Sequence, residues 1–79
     1  MRFVLYTRPG CCLCEEMLAE LAALAEARAH ALELIDVDSD PAARIRFGHK
    51  IPVLLLAGKV VCQGRLDAAL LHKALANAG

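Results

Sequence analysis

The sequence has 79 residues, of which 58% are hydrophobic and 23% charged, and its nine basic and nine acidic residues give no net charge. This composition excludes a disordered chain, because disordered segments lack enough apolar surface to offset the entropy lost on ordering. The balanced charge argues against nucleic acid as a partner, and no apolar run approaches the roughly 20 residues that a membrane helix needs. We therefore expect one small domain, residues 1–79, that is monomeric and has no nucleic-acid or membrane partner.

Residues 2–7 form a nearly continuous apolar run with β-branched and aromatic members. This pattern predicts a strand that is buried on both faces, as in a sheet with parallel neighbours. The run reaches Arg8 and Pro9 too soon for the long hydrophobic segment of a signal peptide. We therefore expect a cytoplasmic protein.

A helical pattern follows the turn at residues 8–10 and extends from Cys11 or Cys12 to about Arg28. Apolar side chains recur there at three- and four-residue steps, which predicts one helix with its apolar stripe toward the core. The expected stripe consists of Leu13, Met17, Leu21, Leu24 and Ala25, widened by Leu18 and Ala22.

The middle of the chain predicts a second strand and a short helix. Residues 30–38 alternate and end in acidic side chains. Asp40 and Pro41 form the N-cap and first position of a helix that ends near Phe47, at Gly48. Two strands joined through a helix run parallel with a right-handed crossover, so the first two strands are expected to be parallel.

The last third of the chain predicts a hairpin and a final helix. Residues 51–56 read as a strand opened by proline, and a tight turn at 57–59 leads into a strand at 60–62. A helix is expected over residues 66–76. Its inward side chains are predicted to be Leu66, Leu70, Leu71, Ala74 and Leu75. The order β-α-β-α-β-β-α gives an α/β fold with a mixed four-stranded sheet flanked by helices.

Three of the four cysteines lie between positions 11 and 14, where they cannot join distant parts of the chain. Cys11 and Cys14 form a C-x-x-C motif between a predicted strand and a predicted helix. Backbone N–H groups at a helix N-terminus stabilise a thiolate, and a second cysteine one turn later can resolve a mixed disulfide. Cys11 is therefore the predicted nucleophile and Cys14 the resolving thiol. Arg8 would favour the thiolate, whereas Glu15 and Glu16 would oppose it.

Two other functions remain open from these residues. Cys11, Cys12 and Cys14 offer three thiolates to a metal or an iron–sulfur cluster, with Cys62 or a histidine as a fourth ligand, although adjacent cysteines suit a closed tetrahedral site poorly. A non-catalytic adaptor is the third possibility. We expect Cys62 to be a small core residue, because free cysteine is among the most buried residue types. Cys12 is either a competing thiol or an exposed bystander.

Four motifs, in order, resemble those of the glutaredoxins, and especially the compact bacterial glutaredoxin-like group. They are Tyr6-Thr7-Arg8-Pro9-Gly10-Cys11-x-x-Cys14, Ile35-Asp36-Val37-Asp38, Ile51-Pro52-Val53, and Gly64 before the last helix. The resemblance covers essentially the whole chain. It implies a thioredoxin-like fold and a role in cell redox homeostasis, with electron transfer through a redox-active disulfide.

The resemblance also implies the residues that bind substrate. Pro52 matches a cis-proline beside the cysteines, and Ile51 matches the residue whose backbone binds the cysteine peptide of a substrate. Arg8 matches a basic residue of the glutathione site in charge, and Gly64 and Asp67 match part of the segment that opens the last helix.

The sequence departs from the glutaredoxin pattern beside the nucleophile, where Cys12 and Leu13 replace the usual Pro-Tyr pair. Both are expected to contact substrate. The resulting prediction is a small thiol–disulfide oxidoreductase that reduces protein or glutathione mixed disulfides. It has no bound cofactor, and glutathione or a thioredoxin-type reductase restores its dithiol.

Overall fold

Four strands and four helices lie within residues 2–78, the part of the chain that the computed structural model describes. The strands are β1 (Arg2–Thr7), β2 (Ala31–Asp36), β3 (Val53–Leu56) and β4 (Lys59–Gln63). The helices are α1 (Cys12–Ala23), α2 (Ala25–Arg28), α3 (Pro41–Phe47) and α4 (Ala68–Ala78), and a 3-10 turn (Val37–Ser39) links β2 to α3. None of these helices is long and apolar enough to cross a bilayer.

The strands form one mixed sheet in the order β2-β1-β3-β4. β1 pairs with β2 in parallel, with Leu5 opposite Leu34, and pairs with β3 in antiparallel fashion, with Tyr6 opposite Val53. β3 and β4 are also antiparallel, as their short connection requires. This arrangement confirms the predicted α/β fold with a mixed four-stranded sheet.

The sheet carries a hydrophobic core on each face, because successive side chains of a strand point to opposite sides. One core packs under α1 and α4, and its fully buried members are Phe3, Leu5, Met17, Leu54 and Leu71. The other core packs under α3, and its members are Val37, Ala43, Phe47, Val53 and Leu55. β3 is buried along its whole length because β1 and β4 flank it and both faces are covered.

The predicted single helix after β1 is divided, and its buried side matches the expected stripe at Met17 and Leu21 but not at Leu13, Ala22 or Ala25, which are exposed. Leu24 has extended backbone angles (φ −90°, ψ 117°) and separates α1 from α2. The buried side of α1 consists of Cys14, Met17 and Leu21, whereas Leu13 is 46% exposed. The expectation for Leu13 was wrong. At 3.6 residues per turn, positions 14, 17 and 21 fall within about 60° of one another around the helix, and Leu13 lies outside this sector.

Two expectations for α4 (its first residue and the burial of Leu70) also need correction. α4 begins at Ala68, later than predicted, because the Asp67 carboxylate accepts the backbone N–H groups of Ala69 and Leu70 at 3.0 and 3.1 Å. Leu70 is 46% exposed and does not face the core, whereas Leu71 is fully buried.

Local signals place α3 and the hairpin turn where they were expected, whereas β2 and β3 are shorter than the predicted ranges 30–38 and 51–56 and β4 is longer than 60–62. The Asp40 carboxylate caps α3 by accepting the N–H of Ala42 at 3.0 Å, with Pro41 in the first turn. The hairpin between β3 and β4 turns at Ala57 and Gly58, whose φ angles of 53° and 83° fit a two-residue type I′ turn.

Candidate functional site

The two motif cysteines lie where β1 leads into α1. The Cys11 N–H donates to the carbonyl of Arg8 at 3.1 Å and closes a turn that contains Gly10, whose φ is 81°. Cys11 is the N-cap of α1, and its Sγ accepts the N–H of Cys14 at 3.2 Å. The two side chains form a disulfide, with the Cα atoms 5.2 Å apart.

The two sulfurs differ in access. Cys11 is half-buried, whereas only 4% of Cys14 is exposed. The first-turn N–H of Cys14 donates to the Cys11 sulfur, and N–H groups at a helix N-terminus stabilise negative charge on a sulfur. Of the two cysteines, Cys11 is therefore the more accessible to an external molecule.

Arg8 fixes the turn before Cys11 through three hydrogen bonds. Its Nε and Nη2 donate to the two carboxylate oxygens of Asp38 at 2.8 and 3.0 Å, and its Nη1 donates to the carbonyl of Gly48 at 3.4 Å. The hydrogen bond to Asp38 raises the pKa of Arg8 above its ordinary value, and the same contact lowers the pKa of Asp38. Arg8 is thus paired with a carboxylate, a partner that the sequence did not reveal.

The Ile51–Pro52 peptide lies at the same end of the sheet as the cysteines. Tyr6 pairs with Val53, so the end of β1 that leads to Cys11 adjoins the start of β3. The Ile51–Pro52 bond is cis, in agreement with the glutaredoxin resemblance. Within residues 2–78, the N–H and C=O of Ile51 form no hydrogen bond with another backbone group.

Gly64 and Asp67 each form hydrogen bonds that hold the fold together. The N–H of Gly64, with φ of 78°, donates to the carbonyl of Pro52 at 2.7 Å and joins the end of β4 to the start of β3. Asp67 is the cap of α4 described above. An aspartate just before an amphipathic run is an N-cap signature, so this role could have been found from the sequence.

Cys12 and Leu13 form the exposed surface of the first turn of α1. Cys62 is buried in the core under α1 and α4, as expected, and burial raises the pKa of its thiol. In the described part of the chain, no group of three or more His, Cys, Asp or Glu side chains is arranged to hold a metal ion.

The sheet order, and a cysteine pair at the N-terminus of the first helix, define a thioredoxin-fold protein. Thioredoxin 1 from Thermosipho africanus shares this fold with a TM-score of 0.62 and 16% identity, over 99% of this chain and 98% of that one. The chain belongs to the glutaredoxin-like domain (DUF836) family, whose model matches residues 2–76.

Two solved structures are similar at 32% identity. Protein Ne2328 from Nitrosomonas europaea has a TM-score of 0.82, over 92% of this chain and 88% of that one. Protein XcR50 from X. campestris has a TM-score of 0.72, over 98% of this chain and 99% of that one.

Similar curated proteins come from mycobacteria. Rv0508 of Mycobacterium tuberculosis and Mb0520 of Mycobacterium bovis are each 37% identical to this chain over 60 residues. The match covers 70% of this chain but 62% of each relative, so the chain spans less than two thirds of their length.

Proposed function

We propose that this domain is a cytoplasmic thiol–disulfide oxidoreductase with Cys11 as nucleophile and Cys14 as resolving thiol. One observation carries the proposal: the half-buried Cys11 caps α1, and its Sγ accepts the N–H of its own disulfide partner, Cys14. A sulfur in this position is activated by the helix N-terminus, and its resolving partner is already within bonding reach.

The reaction follows from the access of the two sulfurs. The Cys11 thiolate attacks one sulfur of a substrate disulfide, forms a mixed disulfide, and releases the other sulfur as a thiolate. The Cys14 thiolate then attacks the Cys11 sulfur and releases the second substrate thiol. The substrate gains two electrons, and the protein is left with the Cys11–Cys14 disulfide. Two thiols from glutathione, or a thioredoxin-type reductase, return it to the dithiol.

The substrates we propose are mixed disulfides of proteins or of glutathione. The unpaired peptide groups of Ile51 support this proposal, because they can form strand-like hydrogen bonds to the backbone around a substrate cysteine. Cys12 and Leu13 would contact the substrate beside Cys11. Arg8, Pro52, Gly64 and Asp67 complete the proposed binding surface, in the positions that the family resemblance implies.

The test is turnover of a glutathione mixed disulfide in the presence of glutathione and its reductase. We expect Cys11→Ser to reduce turnover to the uncatalysed rate, because it removes the attacking sulfur. Cys62→Ala is the matched control, since it removes a thiol that lies in the core, and it should retain turnover. Full activity in Cys11→Ser would contradict the proposal.

A second result of this assay separates the substrate classes. If glutathione mixed disulfides are not turned over but the Cys11–Cys14 disulfide still forms and opens reversibly, the substrate is a protein disulfide. The replacement of Pro-Tyr by Cys12-Leu13 would then explain the loss of glutathione use.

A further inference from the structure

An apolar groove lies between α1 and the edge strand β2 and ends at the disulfide. Its first part, with a volume of about 120 Å³, lies between Leu21 of α1 and Leu32 of β2. Its second part, with a volume of about 220 Å³, lies between Leu34 of β2 and Cys11. Leu18 lines both parts, so they adjoin. We name this feature the β2 groove.

The wall of the β2 groove is an exposed sheet edge. β2 is an end strand in the order β2-β1-β3-β4, so its outer backbone groups pair with no strand in residues 2–78. Leu32 and Leu34 are 38% and 52% exposed. Apolar side chains on an unprotected edge are unusual, because such edges attract other chains. The intervening Glu33 points to the other face, where it pairs with Arg2 at 3.2 Å.

The two ends of the β2 groove carry opposite charge. Asp36 and Glu15 line the end at the cysteines, and Arg28 lines the far end. None of these three side chains forms an ion pair with another described residue. Arg8 also lines the cysteine end, but its charge is matched by Asp38. The charges therefore complement a segment that is basic beside its cysteine and acidic at its other end.

The length of the β2 groove also defines its occupant. β2 has six residues, and at about 3.3 Å per residue it spans on the order of 20 Å. An extended segment of five or six residues covers this distance. In an extended chain, every second side chain points to the same face. Two such side chains of the segment would therefore contact Leu34 and Leu32.

We propose that the β2 groove binds an extended segment of a partner protein and delivers the disulfide of that segment to Cys11. The segment carries a basic residue beside its cysteine, apolar residues at alternate positions, and an acidic residue at its far end. It pairs with β2 as an added strand. This inference rests on the proposed function, because it describes how a protein disulfide reaches Cys11.

The probe is a peptide, Lys-Cys-Thr-Leu-Thr-Leu-Thr-Glu, with its cysteine in a disulfide with 5-thio-2-nitrobenzoate. In the reduced protein, Cys11 attacks the peptide sulfur and releases the coloured thiolate, which is measured by absorbance. Cys14 then releases the peptide thiol, and the protein is left oxidised. Cysteamine in the same mixed disulfide is the small reference substrate, and Cys11→Ser gives the background rate.

We expect Leu34→Gln to lower the rate constant for the peptide roughly five- to tenfold, because about half of a leucine side chain loses its apolar contact. The rate with the cysteamine disulfide should be unchanged. Leu70→Gln is the matched control, since this leucine of α4 is 46% exposed and does not line the β2 groove. Equal peptide rates in the two variants would overturn the proposal.

Charge reversal tests the direction of the segment. A second peptide, Lys-Cys-Thr-Leu-Thr-Leu-Thr-Lys, has lysine in place of the final glutamate. Arg28→Glu should slow the glutamate peptide about two- to fivefold and accelerate the lysine peptide, because exposed ion pairs contribute modestly. No change in either rate would overturn the proposed orientation.

Two further outcomes are distinguishable. If neither substrate exceeds the Cys11→Ser background, the proposed function itself fails. If the cysteamine disulfide reacts but the peptide gains nothing from the groove residues, only the groove proposal fails. Sedimentation equilibrium tests whether a second copy of this chain occupies the β2 groove. If the parent is a dimer and Leu34→Gln is a monomer, the groove serves self-association and the proposal is overturned.

Discussion

At the residue scale, Arg8 and Asp38 connect the turn before Cys11 to the segment after β2. The lowered pKa of Asp38 means that its carboxylate stabilises the folded protein when it is ionised. This contribution is present above the unfolded pKa of aspartate, and it is lost as the pH falls through the folded pKa of Asp38. Because the pair is solvent-exposed, added salt should weaken it.

We therefore expect Asp38→Asn to lower the free energy of unfolding at neutral pH, and to differ less from the parent at an acidic pH below the folded pKa of Asp38. Urea unfolding at both pH values measures the difference. Glu33→Gln is the control, because Glu33 accepts a single hydrogen bond from Arg2 on a more exposed surface, and its effect should be smaller. A deficit in Asp38→Asn that is independent of pH would contradict this account.

The two free cysteines predict a second residue-scale result. In the oxidised protein, Cys12 is exposed and Cys62 is buried, and burial raises the pKa of Cys62. We expect an aromatic disulfide reagent to modify Cys12 rapidly and Cys62 only after unfolding, because the thiolate is the reactive form. Cys12→Ser should abolish the rapid phase. A rapid phase that persists in this variant would show that the core around Cys62 opens readily.

At the element scale, Asp67 combines a structural role with a proposed role in substrate binding, and two substitutions separate them. Asp67→Ala removes the α4 cap and should cost about 1 kcal/mol in the free energy of unfolding. Asp67→Asn keeps an equally good cap and should retain stability. If Asp67 also binds glutathione, Asp67→Asn should raise the KM for glutathione mixed disulfides at unchanged stability. An unchanged KM would leave Asp67 as a cap only.

In the hairpin between β3 and β4, a substitution at Ala57 should increase the free energy of unfolding. Ala57 has a φ of 53°, in the left-handed region that costs a residue with a Cβ roughly 1–2 kcal/mol. Ala57→Asn should therefore stabilise the protein by up to about 1 kcal/mol, because asparagine tolerates this conformation and favours type I′ turns. Thermal unfolding measures the change.

Gly58→Ala, at the next position of the same turn, should have the opposite effect on stability. An added Cβ at Gly58 meets no atom within 4 Å, so its cost reflects only the φ of 83°. We expect a loss of about 1 kcal/mol. If both substitutions shift stability in the same direction, the turn does not have the conformation described.

Local signals explain which elements could be predicted. Residues close together in the sequence determine the cap at Asp40, the turn at Ala57 and the apolar run of β1. Each of these features lies where it was expected. On α1, Met17 and Leu21 are buried as expected, but Leu13 is not: Leu13 and Cys14 are both apolar, and only packing against the sheet decides which of the two is buried. The partner of Arg8 lies 30 positions away, at Asp38, and no local pattern encodes such a pair.

At the scale of the whole molecule, stability depends on two small cores that share one sheet. A domain of 79 residues has a free energy of unfolding of about 4–12 kcal/mol at typical values per residue. Leu54→Ala, at a fully buried position of β3, should cost about 2–5 kcal/mol and so a large part of the total. Chemical denaturation measures this loss.

Leu70→Ala is the same substitution at a position that is 46% exposed, and it should change stability by no more than about 0.5 kcal/mol. Comparable losses in the two variants would mean that the face of α4 that carries Leu70 is covered in solution.

The position of the candidate site at one end of the sheet has a consequence for folding. Cys11 follows β1, the Ile51–Pro52 peptide precedes β3, and Gly64 follows β4, so the surface is assembled from segments as far apart as 53 positions in the chain, from Cys11 to Gly64. A chain with only α1 formed has its two thiols, but it has nothing to hold a substrate against them. Recovery of activity should therefore coincide with completion of the sheet during refolding, and the earliest helical species should be catalytically silent.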